Sequence, residues 1–399
     1  MATGVKRFRH KGLRVLHQHV DAPLTAIALS IRAGARFDGR YPGIAHMAEH
    51  MLFQGTTSLD QVALNRRAAE LGGEHNADTG YETISLTFEV FNEDVPDALG
   101  LLADQFYNSQ VSEERFRKER RVVIDEARGR MDDPIDRLHA RAWGRFFRGP
   151  LANPVWGNMR SLREMQARHV TAFIKNNFKN ARAVLAVVGG VREGAVQAAV
   201  RRHFRHGQTN AVMRGSRVAF GEPGTLRLRG DGGQAHMLHM VRIPPTPRSL
   251  IAVGMALDLV GADPDSRLFQ EIRERLGLGY EVSASLDWGS GWAVATLSAS
   301  AARGVVDRLQ RAVLETCDEA AEGGFSDEEM QRARKKLRYR YASLADSRFE
   351  RALALAEGML SGFPTPEEAE KIVTRMERRE VENAWRTVLR GQRLTAILA

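Results

Sequence analysis

The chain has 399 residues, of which 43% are hydrophobic, so it is long enough and apolar enough to fill two cores. Lys and Arg number 58 against 49 Asp and Glu, but the basic residues are scattered beside acidic ones and no nucleic-acid-binding motif is present, which excludes nucleic acid as the expected partner. The single cysteine, Cys317, excludes an intrachain disulfide, and no run approaches the length of a transmembrane helix.

The first elements in the chain are two alternating, strand-like segments, Arg14 to Val20 and Thr25 to Ala33, followed by a helix with the sequence His46-Met-Ala-Glu49-His50. Because helical residues three and four apart share a face, His46, Glu49 and His50 converge. Two imidazoles and a third ligand leave an open zinc position for water, and Glu49 is placed as a built-in general base. The order H-x-x-E-H is the inverzincin form. The alternative is an amphipathic helix whose histidines face solvent.

A basic helix that opens on acidic residues follows the strand from Thr83 to Phe91. Ser112 is its predicted N-cap, and Glu119 and Glu126 lie almost two turns apart on one face. Taken alone, these glutamates are equally typical of a solvated charged face. They are nevertheless the candidates for a third metal ligand.

The second half repeats the plan of the first. A helix-then-strand unit recurs at an offset of 211 residues, and a helix opening on Ser and acidic residues recurs at 214. The fold class is therefore α+β: two homologous α/β-sandwich domains, each a mainly antiparallel sheet with helices packed on one side. We expect domains at 1–205 and 231–399 joined by a linker at 206–230. Further strands are predicted at Ala183 to Val188, His236 to Arg242, Tyr280 to Leu286 and Trp292 to Ser300.

The zinc helix and its surroundings resemble the pitrilysin, insulysin and mitochondrial processing peptidase family. Glu126 follows His50 by 76 residues, as does the family's third zinc ligand, and Glu119 matches its accessory glutamate. Phe53 to Thr56 would continue the helix. Gly72 to Thr79 resembles the family's G-G-x-x-N-A-x-T edge strand, which pairs with an extended substrate and would use Asn76, Ala77 and Thr79. The family places no metal ligand at His75, which is expected to be an ordinary strand histidine.

The resemblance extends to the second half. Arg273 and Tyr280 match the family's Arg and Tyr that bind substrate near the zinc, and Tyr280 would donate to the developing oxyanion. The two domains would then enclose a peptide chamber. The helix Leu250 to Asp258, which corresponds to the zinc helix, carries no ligand set, so one zinc per chain is expected.

The expected activity is that of a zinc metalloendopeptidase acting on peptides or small unfolded polypeptides. Two alternatives remain open at this stage. One is a processing peptidase that works with a partner subunit on a ribosomally made precursor peptide, and the other is a non-catalytic assembly subunit. The resemblance implies a homodimer, or a heterodimer with a related subunit. The absence of an apolar signal segment in the first ten residues leads us to expect a cytoplasmic protein without a membrane partner.

Overall fold

The protein is described from a computed structural model that covers residues 4–180, 182–206, 217–230 and 232–399. Its contacts divide the chain into two compact units, each assembled from three segments. The first unit consists of Met1–Arg128, Asn153–Arg217 and Ser343–Thr365. The second consists of Gly129–Ala152, Val218–Ala342 and Pro366–Ala399. Of the predicted linker, residues 207–216 lie outside the described residues.

Strands and helices fall close to the predicted segments. The strands are β1 (Lys6–His10), β2 (Leu13–His19), β3 (Leu24–Ile31), β4 (Glu74–Thr79), β5 (Ile84–Phe91), β6 (Phe147–Arg148), β7 (Ala183–Gly189), β8 (Ala219–Phe220), β9 (Gly224–Leu228), β10 (Gln234–Arg242), β11 (Gly279–Gly289), β12 (Trp292–Ala302) and β13 (Arg393–Leu398). The helices are α1 (Ile44–Leu52), α2 (Gln61–Glu70), α3 (Val95–Asn108), α4 (Glu113–Asp132), α5 (Pro134–Phe146), α6 (Met159–Glu164), α7 (Ala167–Asn180), α8 (Glu193–His203), α9 (Pro247–Leu257), α10 (Arg267–Phe269), α11 (Val306–Gly323), α12 (Asp327–Asp346), α13 (Arg348–Ser361), α14 (Pro366–Arg375) and α15 (Arg378–Arg390).

The two main sheets share one topology, which confirms the predicted duplication. In the first unit the order is β1-β2-β7-β3-β5-β4, and in the second it is β11-β12-β10-β13-β9. Starting from β4 or from β11, three antiparallel pairings are followed by one parallel pairing, β2 with β7 or β9 with β13. The strand β1 is an addition to the first sheet.

The first sheet packs its larger side chains against one layer of helices. In β3, Ile27, Leu29 and Ile31 alternate toward the main core, which includes side chains of α1, α3 and α7. Ala26 and Ala28 point to the opposite face, where they meet Ala352 and Ala356 of α13. Small residues on both elements allow this close packing. In addition to the predicted helical layer, one helix from the second half of the sequence therefore covers part of the other face.

The second unit mirrors this arrangement. Helix α5, from the first half of the sequence, packs on β10 and β13. An aromatic cluster surrounds Trp143 of α5, whose ring lies 5.7 Å from Trp292 and 4.9 Å from Phe147. None of the described helices is both long and apolar enough to span a bilayer.

Candidate metal centre

Helix α1 presents an apolar side to the core and a polar side to the candidate site. Ile44, Met47, Ala48 and Met51 are buried at helical spacing, which leaves His46, Glu49 and His50 on the other side. The helix ends at Leu52, so the expectation that it continues through Thr56 was wrong. Gly55 adopts a φ of 120°, outside the helical region, and ends the helical path.

The N-terminus of α1 is capped by Asp38, which the sequence pattern does not identify as a cap. The buried carboxylate of Asp38 accepts hydrogen bonds from the backbone N–H of Gly43 at 2.6 Å and of Ala45 at 3.0 Å. Burial raises the pKa of Asp38 to about 8, while these two bonds act in the opposite direction. Gly43 has a φ of 92°, and a Cβ there would lie 2.9 Å from the Gly157 Cα. Asp38 and Gly43 together fix where α1 starts.

The three predicted metal ligands meet at one point of the first unit. Potential ligand atoms of His46, His50 and Glu126 all lie within 4.8 Å of one another. The Glu126 Oε2 atom is 3.8 Å from His46 Nε2 and 3.4 Å from His50 Nε2. Ligands that surround a tetrahedral Zn²⁺ at ~2.1 Å lie about 3.4 Å apart. The donor set and its spacing therefore fit a zinc ion, with a coordination position left for water.

Glu119 orients one of these ligands. Its Oε2 atom lies 3.2 Å from His50 Nδ1, and its side chain is only 12% exposed. A carboxylate at Nδ1 favours the tautomer with the proton on that nitrogen, which leaves Nε2 free to ligate a metal. The helical spacing in α4 thus places Glu119 behind His50 and Glu126 in front of it.

The candidate base, Glu49, is held by the edge strand. Its Oε2 atom accepts a hydrogen bond from Thr79 Oγ1 at the end of β4. Burial raises the pKa of Glu49 to about 7, opposed by the Thr79 hydrogen bond and by His50. A carboxyl group with a pKa near neutrality is suited to accepting and returning a proton.

Strand β4 carries the other predicted substrate-binding positions. It forms one edge of its sheet and pairs only with β5 among the described residues, so alternate main-chain groups along β4 face away from the sheet. His75, on the same strand, stacks on Phe88 at 4.1 Å and bonds to Gln105 Oε1 at 2.9 Å. Burial lowers its pKa to about 4. The Gln105 Nε2 atom donates a hydrogen bond to the Leu52 carbonyl at 3.0 Å, so Gln105 connects β4 to the end of α1.

Arg273 and Tyr280 belong to the second unit. Arg273 lies on a π-helical turn, Gln270–Arg275, and its guanidinium stacks 4.9 Å from the Phe269 ring. Gly277 follows this turn with a φ of 57°, the left-handed conformation that glycine favours just after a helix. Tyr280 is the second residue of β11. The placement of its side chain is not described.

Comparison with known proteins decides the family. Residues 14–156 match the model of the insulinase domain of peptidase family M16, and residues 164–337 match the model of the M16 inactive domain. An uncharacterized zinc protease of Mycobacterium leprae is 31% identical over 340 residues, covering 82% of this chain and 76% of the relative. This chain belongs to peptidase family M16.

Further relatives agree in sequence, and a solved structure agrees in fold. An uncharacterized zinc protease of Rickettsia felis is 29% identical over 332 residues, covering 80% of this chain and 78% of its own. A probable mitochondrial-processing peptidase subunit beta of Arabidopsis thaliana is 32% identical over 199 residues, which cover 48% of this chain and 37% of that relative. The crystal structure of a protease from Helicobacter pylori, only 18% identical, superposes with a TM-score of 0.91 over 99% of both chains. The M16 model matched by the second half is described as inactive, as expected for a half without H-x-x-E-H.

Proposed function

We propose that this M16 peptidase is a zinc metalloendopeptidase that cleaves peptides or small unfolded polypeptides. One observation carries the proposal: the ligand atoms of His46, His50 and Glu126 converge, and the half-buried Glu49 carboxylate lies on the same side of α1. When bound, zinc supplies a Lewis acid that polarises the scissile carbonyl and activates water. The relatives named zinc proteases support this assignment.

The residues of the chain then have distinct roles. Glu49 accepts a proton from the attacking water and returns it to the leaving amine, while Thr79 keeps one oxygen of that carboxylate fixed. Glu119 holds the His50 ring. The outer edge of β4 aligns the substrate at Asn76, Ala77 and Thr79 through main-chain hydrogen bonds. We further propose, from the family resemblance, that Arg273 binds the substrate backbone and that Tyr280 donates to the oxyanion.

Separating metal binding from chemistry tests the proposal. Glu49→Gln preserves α1 and both histidines but removes the proton acceptor, so zinc content should stay near one per chain while peptide turnover falls on the order of 10²-fold or more. His46→Ala and His50→Ala should lose zinc and activity together. Metal analysis and cleavage of a peptide library of graded length provide both readouts. Full zinc retention in both histidine variants, or normal turnover by Glu49→Gln, contradicts the assignment.

A processing peptidase that works with a partner subunit is the second candidate. The observation that favours it is the similarity of half of this chain to the processing peptidase subunit of Arabidopsis thaliana. We propose that the protein is a dimer. The activity of the purified chain distinguishes a homodimer from a heterodimer with a partner subunit. A general peptidase should cleave library peptides as a homodimer, whereas a partner-dependent enzyme should bind zinc but stay inactive until the second subunit is added.

A further inference from the structure

The hairpin turn that follows the proposed substrate strand is attached to the segment that leads into α1. We call residues 80–83 the β4–β5 turn. Three consecutive backbone N–H groups of the segment donate to three carbonyls of the turn at 2.9 to 3.1 Å: Gly34 to Glu82, Ala35 to Gly80 and Arg36 to Tyr81. A Cβ at Gly34 would lie 2.4 Å from the Gly80 oxygen, so the two backbones are in direct contact.

A buried ion pair reinforces this attachment. The Arg36 Nη1 atom donates to Glu82 Oε1 at 2.7 Å, and the two side chains are only 5% and 14% exposed. Arg32 lies 3.8 Å from the other carboxylate oxygen of Glu82. A charge-assisted hydrogen bond is strong where water is largely excluded, and separating such a pair leaves a buried charge without its partner. Moving the β4–β5 turn away from Arg36 is therefore unfavourable.

The β4–β5 turn continues directly from Thr79, which holds the candidate base. Thr79 and Ile84 are cross-strand partners on either side of the turn, and Ile84 belongs to the main core beneath α1. Partners directly opposite each other share a face of the sheet, so Thr79 points to the same side. There its hydroxyl donates to the Glu49 carboxylate. Any displacement of the turn therefore moves the Thr79 hydroxyl relative to Glu49.

The other end of the attachment is fixed to the start of α1. Arg36 belongs to a short 3-10 turn, Ala35–Phe37, and the next residue is Asp38, whose carboxylate caps α1. The contacts form a closed circuit. It runs from Glu49 through Thr79 to the β4–β5 turn. From the turn it returns through Arg36 and Asp38 to α1.

We propose that Arg36 and Glu82 are positioning residues for the proton transfer by Glu49. Their ion pair holds the β4–β5 turn in place, and the turn fixes the Thr79 hydroxyl that orients the carboxylate. The inference rests on the proposed peptidase function and adds two residues that act through Thr79 rather than at the reacting atoms. A displacement of about 1 Å in a catalytic group can lower the rate about 10²-fold, so this ion pair can control turnover without contacting substrate.

The kinetics of Glu82→Gln, measured with a peptide that the wild type cleaves, test this role. The variant's kcat should fall about tenfold while KM changes less than about twofold, because the outer edge of β4 still binds substrate. Zinc content should stay near one per chain. In a Thr79→Val background, adding Glu82→Gln should change kcat by less than about twofold, since the hydrogen bond through which Glu82 acts is already absent.

The matched control is Glu357→Ala, because Glu357 binds the same hairpin from α13, on the opposite face of the sheet. Its Oε1 atom accepts hydrogen bonds from Thr83 Oγ1 at 3.2 Å and from Ser85 Oγ at 3.0 Å. Both variants should unfold at a lower urea concentration than the wild type, but Glu357→Ala should keep its kcat. Backbone hydrogen exchange of residues 34–38 should accelerate in Glu82→Gln and not in Glu357→Ala.

The positioning role is overturned by a normal kcat in Glu82→Gln, by an equal fall of kcat in Glu357→Ala, by additive effects of Glu82→Gln and Thr79→Val, or by unchanged hydrogen exchange. If Glu82→Gln does not fold, Arg36→Lys, which keeps the positive charge, provides the same comparisons. An active wild type with any of these results contradicts this inference alone. A wild type that cleaves no peptide contradicts the peptidase proposal as well.

Discussion

Thr79 shows how one hydroxyl can connect substrate binding with chemistry. It lies at the end of the edge strand and donates to the Glu49 carboxylate. Thr79→Val keeps the shape but loses a hydrogen bond to a charged group, so kcat should fall about 10- to 100-fold with little change in KM or zinc content. Thr79→Ser should recover most of the activity. A fully active valine variant would mean that other contacts hold Glu49.

A buried histidine of the second unit makes stability depend on pH. Burial lowers the pKa of His239 to about 4, and its Nδ1 lies 3.0 Å from Thr395 Oγ1. In the unfolded chain His239 takes up a proton near pH 6.5, whereas in the folded chain it does so only near pH 4. The contribution of the neutral imidazole to the free energy of unfolding is therefore complete above pH 6.5 and is lost as the pH falls toward 4. This contribution is at most roughly 3 kcal/mol. Between pH 7 and pH 5, the free energy of unfolding in urea should fall less in His239→Leu than in the wild type. An equal fall in both proteins would contradict this account.

Helix α13 illustrates what one element contributes to a sheet formed by the other half of the sequence. Leu355 is 3% exposed and packs with Ala26, Ala28 and Val188. Leu355→Ala should lower the free energy of unfolding of the first unit by about 2–4 kcal/mol because it leaves a cavity between helix and sheet. Denaturant unfolding measures this change. The half-buried Leu353 is the control, and a loss at Leu353→Ala as large as at Leu355→Ala would contradict the packing described.

The duplicated helices α4 and α12 differ at the position of a candidate metal ligand. Phe116 and Val123 are buried on α4, and Met330 and Leu337, each 214 residues later, are buried on α12. In this register Arg340 stands at the position of Glu126. Arg340 pairs with the buried carboxylate of Asp258 at 2.6 Å, so an ion pair occupies the helix side that in α4 carries the candidate ligand. This difference agrees with the expectation of one zinc per chain, which rests on the lack of a ligand set in α9.

At the scale of the whole molecule, the second half should take part in the reaction. Tyr280→Phe removes one hydroxyl with little change in volume and, if that hydroxyl donates to the oxyanion, should lower kcat/KM by ~1.5–4 kcal/mol of transition-state stabilisation. Zinc content and thermal stability should be nearly unchanged. Arg273→Ala should mainly raise KM. Normal peptide cleavage by both variants would limit the second half to a structural role.

The sequence by itself determined many of the elements and the candidate metal-binding residues of α1. The residue pattern located β2, β3, β5 and β7 to within a few residues, because short runs rich in apolar and β-branched residues favour extended backbone. The H-x-x-E-H spacing likewise placed His46, Glu49 and His50 on one side of a helix, since helical geometry leaves no other arrangement. The offsets of 211 and 214 residues revealed the duplication, which the shared strand order confirmed.

Only the tertiary structure decided which distant groups meet. Glu119 and Glu126 are indistinguishable from solvated glutamates until α4 packs beside α1, and nothing local marks Asp38 as a cap or Thr79 as the partner of Glu49. The strands β1, β2, β7 and β3 are likewise neighbours in an order that differs from their order along the chain. Local periodicity depends on bonds between adjacent residues, whereas these contacts depend on strand pairing and helix packing between segments far apart in sequence.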